Sequence, residues 1–407
     1  MLVKPGPFLG ASEGDNRLFS SLQRWACFML RQIALLSLFT TGLFSQSDFQ
    51  QVTAYLDQSV TNQTVAGGAV IVLHRAKVVF KTGFGYADVK SKEQFKIQTP
   101  AILASISKPM LGTAAYRLSE AGKVNLVAPI SRYLPSFGNL KLISGEALSR
   151  APTLTELLTH TSGMRHDTAP QGRPWFAEWT QDQPLAVVVD RYAREFPFYT
   201  PPGTRQAYSG IGTDVAARVL EITSGRLRNA LLQEEVCRPL GMMQTYYLDA
   251  QRVRQRPMPT RYYISKNGGL TVAAKRRMPK KNTYSSSGGT IISSASDLAI
   301  WLLMIRNQGL FQNKPFLKAE SIKDMLRPNP VGSNAQGGFF VREKDAQGNP
   351  TVIGHTGSSG TNCWINFATD TIGIMITQTR GKDIMPFRKE LQRRIDQCTA
   401  RLSLPSR

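Results

Sequence analysis

The residues best placed by type and spacing to do chemistry are Ser105 and Lys108, in the stretch Ala104-Ser105-Ile106-Ser107-Lys108-Pro109. A serine three residues ahead of a lysine arises about once or twice by chance in a chain of this length. The spacing alone therefore decides nothing, but its surroundings add weight. Apolar Ile102-Leu103-Ala104 leads in, and Met110, Ala114, Leu118 and Ala121 follow at helical spacing until Gly122 stops the pattern. Ser105 then opens a helix, and Lys108 lies one turn along on the same face, within reach of the hydroxyl.

A serine hydroxyl is a poor nucleophile at neutral pH and needs a base beside it. Four histidines are available. His74 falls in a hairpin turn, His160 at a helix end and His166 in a loop, and none of these is given a chemical role. His355 follows a strand in the glycine-rich Gly354-His355-Thr356-Gly357-Ser358-Ser359-Gly360, where a ligand can approach backbone. No G-x-S-x-G elbow is present, which weighs against a Ser-His-Asp hydrolase. The other option is Lys108 itself. A partly desolvated lysine at a helix N-terminus is pushed toward the neutral amine. Tyr208, in Tyr208-Ser209-Gly210 at the mouth of a helix, is the candidate third member.

Positioning these groups requires a sheet and a helical layer. Residues 67–73 and 77–84 read as a hairpin turning at His74-Arg75-Ala76, after a short amphipathic helix at 49–56. A connecting helix is expected at 124–135, and 152–241 is mostly helical. Its signals are a capping box at Thr153-Leu154-Thr155-Glu156, a helix over 213–224 and another over 227–236 stopped before Pro239. Residues 252–282 show no period and read as an extended excursion. Ser296-Asp297 is expected to cap a helix carrying Leu298, Trp301, Leu302 and Ile305. Strands return at 338–342, 351–353, 362–367 and 373–377, and a last helix puts Phe387, Leu391, Ile395, Cys398 and Leu402 on one stripe. The fold class is therefore α+β: an antiparallel sheet built from both chain ends, flanked by helices, with a mainly helical region between.

With 407 residues, 42% of them hydrophobic, the chain can bury a substantial core. Residues 1–47 read as an N-terminal extension and secretory signal. Arg31 precedes the apolar run 33–44, which is too short to span a bilayer, and Met29 is the expected true start. Residues 48–405 form the functional domain: sheet regions 48–105 and 285–400, a helical region 106–250 and a basic excursion 251–284. The predicted location is periplasmic or secreted, with no stable membrane span after cleavage. The alternative is an uncleaved anchor or an amphipathic N-terminal helix. Cys237, Cys363 and Cys398 remain after the signal, leaving room for one disulfide that spacing does not assign. The net charge is +22. Ten basic residues and no acid lie between 252 and 281. No nucleic-acid motif accompanies them, so attraction to anionic cell-envelope polymers or acidic substrates, or a merely solvated surface, is the expectation.

At this point the chain resembles the serine β-lactamase and penicillin-binding-protein family, in particular its class C β-lactamase-like branch. S-x-x-K stands as Ser105-Ile106-Ser107-Lys108, Y-x-N as Tyr208-Ser209-Gly210, and K-T-G as His355-Thr356-Gly357. The stretches 157–164, Pro201-Pro202-Gly203-Thr204, Pro239-Leu240-Gly241-Met242 and Gly288-Gly289 are also similar, so the resemblance runs from about Phe49 to Cys398. It implies a nucleophilic Ser105, a Lys108 that assists its deprotonation and a Tyr208 that serves as general base. It further implies an oxyanion hole from the backbone N–H groups of Ser105 and Ser358, with Gly210, His355, Thr356 and Gly357 against the substrate. Neither metal nor cofactor is implied.

Two departures narrow the substrate. Gly210 removes a side-chain amide, and His355 removes a fixed cation that would pair with a substrate carboxylate, although an Arg or Lys elsewhere could restore that contact. The expectation is a secreted serine hydrolase acting on a small-molecule or peptide acyl substrate, an esterase or peptidase. The alternatives are a β-lactamase or cell-wall DD-carboxypeptidase, and a binding protein that keeps the fold without turnover.

Overall fold

The computed structural model describes residues 49–165, 182–273, 278–280, 283–381 and 383–402. The expected signal segment and His166 lie outside these. Among the described residues, no helix is long and apolar enough to cross a membrane.

The run Gly67–His74 is β-branched and apolar, and every residue in it is buried, as befits a central strand covered on both faces. It pairs antiparallel with Lys77–Asp88 through a two-residue turn in which Arg75 and Ala76 take φ of 50° and 63°, the conformation a tight hairpin demands. Its other edge pairs with Thr371–Thr377, from Gly68↔Thr377 to His74↔Thr371. Asn362–Asn366, Pro350–Thr356 and Phe340–Lys344 follow outward, and Glu93–Gln94 closes the opposite edge of a seven-stranded antiparallel sheet. The two chain ends thus meet in its middle.

One face of the sheet is covered by the helices Gln50–Thr61 and Ile384–Leu402, with Val52 and Leu56 facing Phe387, Leu391, Ile395 and Cys398 across Val70, Val72 and Trp364. The other face carries Ser107–Glu120 and Ala295–Arg306 over Ile71, Ile374 and Ile376. Ser107–Glu120 is buried nearly all round. Its Met110 and Ala114 face the sheet, while Leu111, Ala115 and Leu118 face the helical region built on Leu154–Leu158, Leu185–Glu195 and Gly210–Ser224. A helix wedged between two cores is a rigid mount for whatever stands at its first turn. Trp301 Nε1, fully buried, donates to Thr113 Oγ1 at 3.0 Å and locks that mount to the Ala295–Arg306 helix.

Several local expectations change. Residues 124–135 form no α-helix; prolines 129 and 135 bound two short 3-10 turns, Ile130–Arg132 and Pro135–Phe137. The helix after 294 is capped by Ser294, whose Oγ accepts the Asp297 N–H at 3.1 Å. Asp297 instead reaches across to accept from the Gln244 N–H at 2.8 Å and the Thr245 hydroxyl at 2.7 Å. The 227–236 helix does not stop before Pro239. Arg228–Leu232 continues through a π turn, Gln233–Cys237, into Arg238–Leu240, and ends at Gly241 with φ 70°. The basic excursion has structure of its own: a helix Ala250–Gln255, then strands Tyr262–Ile264 and Leu270–Val272. Tyr262 and Tyr263 pair in parallel with Thr379 and Arg380, which anchors the excursion to the end of the central sheet. Cys237, Cys363 and Cys398 are buried free thiols.

Candidate active site

The chain reaches Ser105 through a sharp elbow. Ala104 takes φ 51°, a left-handed conformation costly for a residue with a Cβ, at the start of the 3-10 turn Ala104–Ile106 that feeds the Ser107–Glu120 helix. The strand end at Gly357 lies directly against this elbow. A Cβ there would overlap the Leu103 carbonyl and Thr361 Oγ1, so only glycine permits the approach. Ser105 keeps partial access to solvent while its neighbours Ala104 and Ile106 are buried.

Two side chains converge on its hydroxyl. Lys108, buried to 5% exposure, places Nζ 3.2 Å from Ser105 Oγ and donates to the Gly288 carbonyl at 2.9 Å. Tyr208 Oη donates to Ser105 Oγ at 2.7 Å, and the Lys108 ammonium lies 4.7 Å from the centre of the Tyr208 ring. Lysine and phenol thus share one oxygen, which is the arrangement a proton relay needs. At Gly288 a Cβ would stand 3.0 Å from Lys108 Nζ and from Thr213 Cγ2, so any side chain there presses on the lysine's seat.

The loop that presents the Gly288 carbonyl is tied down from beneath. Asp214 is fully buried and accepts from the Ser287 N–H at 2.6 Å and the Tyr284 hydroxyl at 2.8 Å; burial pushes its carboxyl above the usual range, against the pull of those hydrogen bonds. Arg228 donates to the Ser285 carbonyl and, at 3.2 Å, to Ser287 Oγ. Neither residue stands out in the sequence as a site residue. For Asp214 the signal is a charged residue inside the apolar helix Gly210–Ser224, an expensive placement unless it is satisfied; Arg228, at the start of its own helix, carries no such signal.

His160 also emerges only here. It is buried, takes φ 63°, and its Nδ1 accepts the Ser209 N–H at 3.2 Å while its carbonyl accepts the Ala207 N–H at 2.8 Å. Its ring packs 4.3 Å from the Tyr208 ring. The loop on both sides of Tyr208 is therefore held by one residue that had been given no role.

Two substrate-binding expectations need correction. Gly210 is buried in the first turn of Gly210–Ser224, behind the Ser209 cap whose Oγ accepts the Gly212 N–H at 3.0 Å. It is buried and carries no side chain to reach a substrate. The His355 side chain is 1% exposed; its Nδ1 lies 2.8 Å from the Thr356 carbonyl, its Nε2 has no partner among the described residues, and its ring packs 4.4 Å from Phe340. Burial first, and then the Lys108 charge, pushes this imidazole down to about 3, so it is neutral. Phe340 in turn stacks at 6.5 Å on Tyr208, which places His355 as support under the site rather than as a cation on its surface. Ser358 is exposed at the strand end, and it lines one small cavity together with Ala104 and Gly289.

Residues 52–397 match the family model described as Beta-lactamase. The chain is 25% identical over 324 residues to the D-alanyl-D-alanine-carboxypeptidase/endopeptidase AmpH of Escherichia coli (strain K12), a match that covers 76% of this chain and 77% of the relative. It is 26% identical over 347 residues to Esterase EstB of Burkholderia gladioli, covering 77% and 84%. Among solved structures, EstCE1, a hydrolase with promiscuous acyltransferase activity, shares the fold at a TM-score of 0.74 and 19% identity, over 87% of this chain and 98% of that one. The unliganded selenomethionyl simvastatin synthase LovD of Aspergillus terreus does so at 0.71 and 17%, over 89% and 100%.

Proposed function

The chain belongs to the Beta-lactamase family and is a serine hydrolase of that fold, and from this premise we propose that it cleaves esters or peptides through an acyl-enzyme on Ser105. The observation that carries the proposal is the pair of contacts to one oxygen, Lys108 Nζ at 3.2 Å and Tyr208 Oη at 2.7 Å from Ser105 Oγ. In the reactive form the Lys108–Tyr208 pair holds one proton fewer. Ser105 Oγ attacks the acyl carbon and its proton passes to that pair. The carbonyl oxygen becomes an oxyanion facing the backbone N–H groups of Ser105 and Ser358, each donor worth about 2.7–4 kcal/mol in such a hole. As the bond to the leaving group breaks, Tyr208 Oη returns the proton to the departing oxygen or nitrogen. A water then attacks the Ser105 ester by the same path in reverse, releasing the acid.

An ester or peptide is favoured over a β-lactam because the side-chain amide and the fixed cation are both missing, with Gly210 and a neutral, buried His355 in their places. EstB is named an esterase and AmpH a carboxypeptidase and endopeptidase, which supports both substrate types. A preassembled Ser105-Lys108-Tyr208 group favours turnover over a binding protein. We include export in the proposal, directed by residues 29–47, with the basic surface drawing the enzyme to anionic envelope polymers. N-terminal sequencing of exported protein should find a start near Asp48, and a retained segment 29–47 would refute that part.

The test compares wild type with Ser105→Ala on p-nitrophenyl esters, a fluorophosphonate and a fluorescent penicillin. Ester turnover and fluorophosphonate labelling should both vanish in the variant, with penicillin labelling weak in the wild type. Equal turnover in the two proteins would refute the proposal.

A further inference from the structure

The two proposed oxyanion donors stand on segments of different sheets. Ser105 follows the strand Ala101–Ile102, which pairs with Ile291–Ser293 in a three-stranded sheet, and the Leu103 N–H goes to the Ile291 carbonyl at 2.9 Å. Ser358 follows the strand Pro350–Thr356 of the seven-stranded sheet. The segments come closest at Gly357, where an added Cβ would overlap the Leu103 carbonyl and stand 3.1 Å from Ala104 Cβ. Ser105 and Ser358 are the next residue beyond that approach on each side.

What spans the gap is a pair of side-chain hydroxyls. Ser359 Oγ donates to the Ile102 carbonyl at 2.7 Å and Thr361 Oγ1 to the Leu103 carbonyl at 2.9 Å, and the two hydroxyl oxygens lie 3.3 Å apart. Both side chains are buried, whereas Ser358 beside them is exposed. Gln378 Nε2 adds a second side-chain donor to the Ile102 carbonyl at 3.2 Å.

The turn that carries Ser358 is fixed within itself. The Gly360 N–H donates to the Gly357 carbonyl at 3.0 Å and the Gly357 N–H to the Thr361 carbonyl at 2.9 Å, with Gly360 at φ 96°. Neither bond uses the Ser358 N–H. From the covering helix Ile384–Leu402, Arg388 Nη1 donates to the Gly357 carbonyl at 3.0 Å and the Thr361 carbonyl at 3.3 Å. The turn is thus one unit, and the hydroxyls of Ser359 and Thr361 set where that unit sits against the elbow. Removing them leaves buried carbonyls unpaired, a cost that a shift of the turn relieves.

We propose that Ser359 and Thr361 are positioning residues that fix the separation of the Ser105 and Ser358 N–H groups, and so act on the transition state without touching substrate. This rests on the hydrolase reading above and adds the residues that assemble its oxyanion hole. Such donors work only where they meet the oxygen as it becomes charged, so a small displacement is felt in the barrier more than in substrate binding.

The experiment compares wild type with Ser359→Ala/Thr361→Val on p-nitrophenyl butyrate and on phenylboronic acid, which adds to a serine oxygen as a tetrahedral anion and so mimics the transition state. In the double variant kcat/KM should fall by about 10–100-fold, chiefly in kcat, and the affinity for the boronic acid by a similar factor. Thr361→Ser keeps the hydroxyl and should recover most of what Thr361→Val loses. Should the double variant not fold, these two single variants carry the test, with a loss of about three- to tenfold expected in Thr361→Val. Wild-type kcat and boronate affinity in the folded variants overturn the proposal. So does a fall in kcat/KM with boronate affinity unchanged, which marks a general disturbance of the cleft. Failure of the hydrolase reading looks different: Ser105→Ala then matches the wild type in turnover and in boronate affinity, and the proposal falls with it.

Discussion

The His160 ring lies 4.3 Å from the Tyr208 ring, and His160 Nδ1 accepts the N–H of Ser209, the residue that follows Tyr208. One side chain thus sets both the backbone and the ring plane of the proposed general base. His160→Ala removes both contacts, and the phenol can then drift from Ser105 Oγ. Turnover of p-nitrophenyl esters should fall about 10–100-fold, which corresponds to ~1.4–2.7 kcal/mol of barrier, chiefly in kcat. His160→Asn tolerates the left-handed backbone and keeps an acceptor, so it should recover a substantial part of the loss. Equal activity in both variants and the wild type would remove His160 as a positioning residue.

The sheet was largely legible because its strands carry the plainest signal, buried β-branched runs such as Gly67–His74 bounded by turns, and the stripe of the last helix is kept with Phe387, Leu391, Ile395 and Cys398 all buried. Ser105, Lys108 and Tyr208 were legible because motif spacing survives in sequence. His160, Asp214 and Arg228 were not, because each acts through a partner distant in the chain: Ser209, Ser287 and the 283–287 loop. The excursion was read as extended because its strands are three residues long and its pairing partner, Thr379–Arg380, lies over a hundred residues on. Burial misled in the opposite direction at His355 and Gly210, whose motif positions implied a surface that packing denies.

Tyr208 is 39% exposed and contributes little to the core, so Tyr208→Phe isolates its hydroxyl. Without Oη, Ser105 loses a 2.7 Å partner and the leaving group loses its proposed proton donor. A fall in kcat of about 10²–10⁴ is expected, the usual worth of a positioned acid or base, with an unchanged unfolding midpoint. Near-normal rates would show that Lys108 alone carries the proton.

Gly288→Ala tests the lysine's seat. The new Cβ stands 3.0 Å from Lys108 Nζ and 3.0 Å from Thr213 Cγ2, closer than ordinary contact. Lys108 has the freer end and should yield, lengthening its reach to Ser105. We expect fluorophosphonate labelling to slow by about tenfold or more while the unfolding midpoint drops only a few degrees. Unaltered labelling kinetics in the folded variant would mean that the Gly288 carbonyl does not position the lysine.

Asp297 makes stability depend on pH in a direction opposite to ordinary acid denaturation. Burial raises its carboxyl to about 6 in the folded protein, against the lowering effect of hydrogen bonds from Thr245 and Gln244, whereas in the unfolded chain an aspartate titrates near 3.9. Between about pH 4 and 6 the unfolded chain gives up this proton and the folded protein keeps it, so the group's contribution to stability falls as pH rises. From pH 4.5 to 7 the loss amounts to ~2 kcal/mol. Asp297→Asn keeps an oxygen for the Gln244 N–H and the Thr245 hydroxyl but cannot ionise. Asp396, also raised to about 6 by burial, acts the same way in both proteins and cancels in the comparison. Urea unfolding at the two pH values should therefore show a wild-type stability difference that the Asp297→Asn variant shifts by ~2 kcal/mol in favour of pH 7. A variant whose pH dependence superposes on that of the wild type would show that Asp297 stays ionised throughout the window.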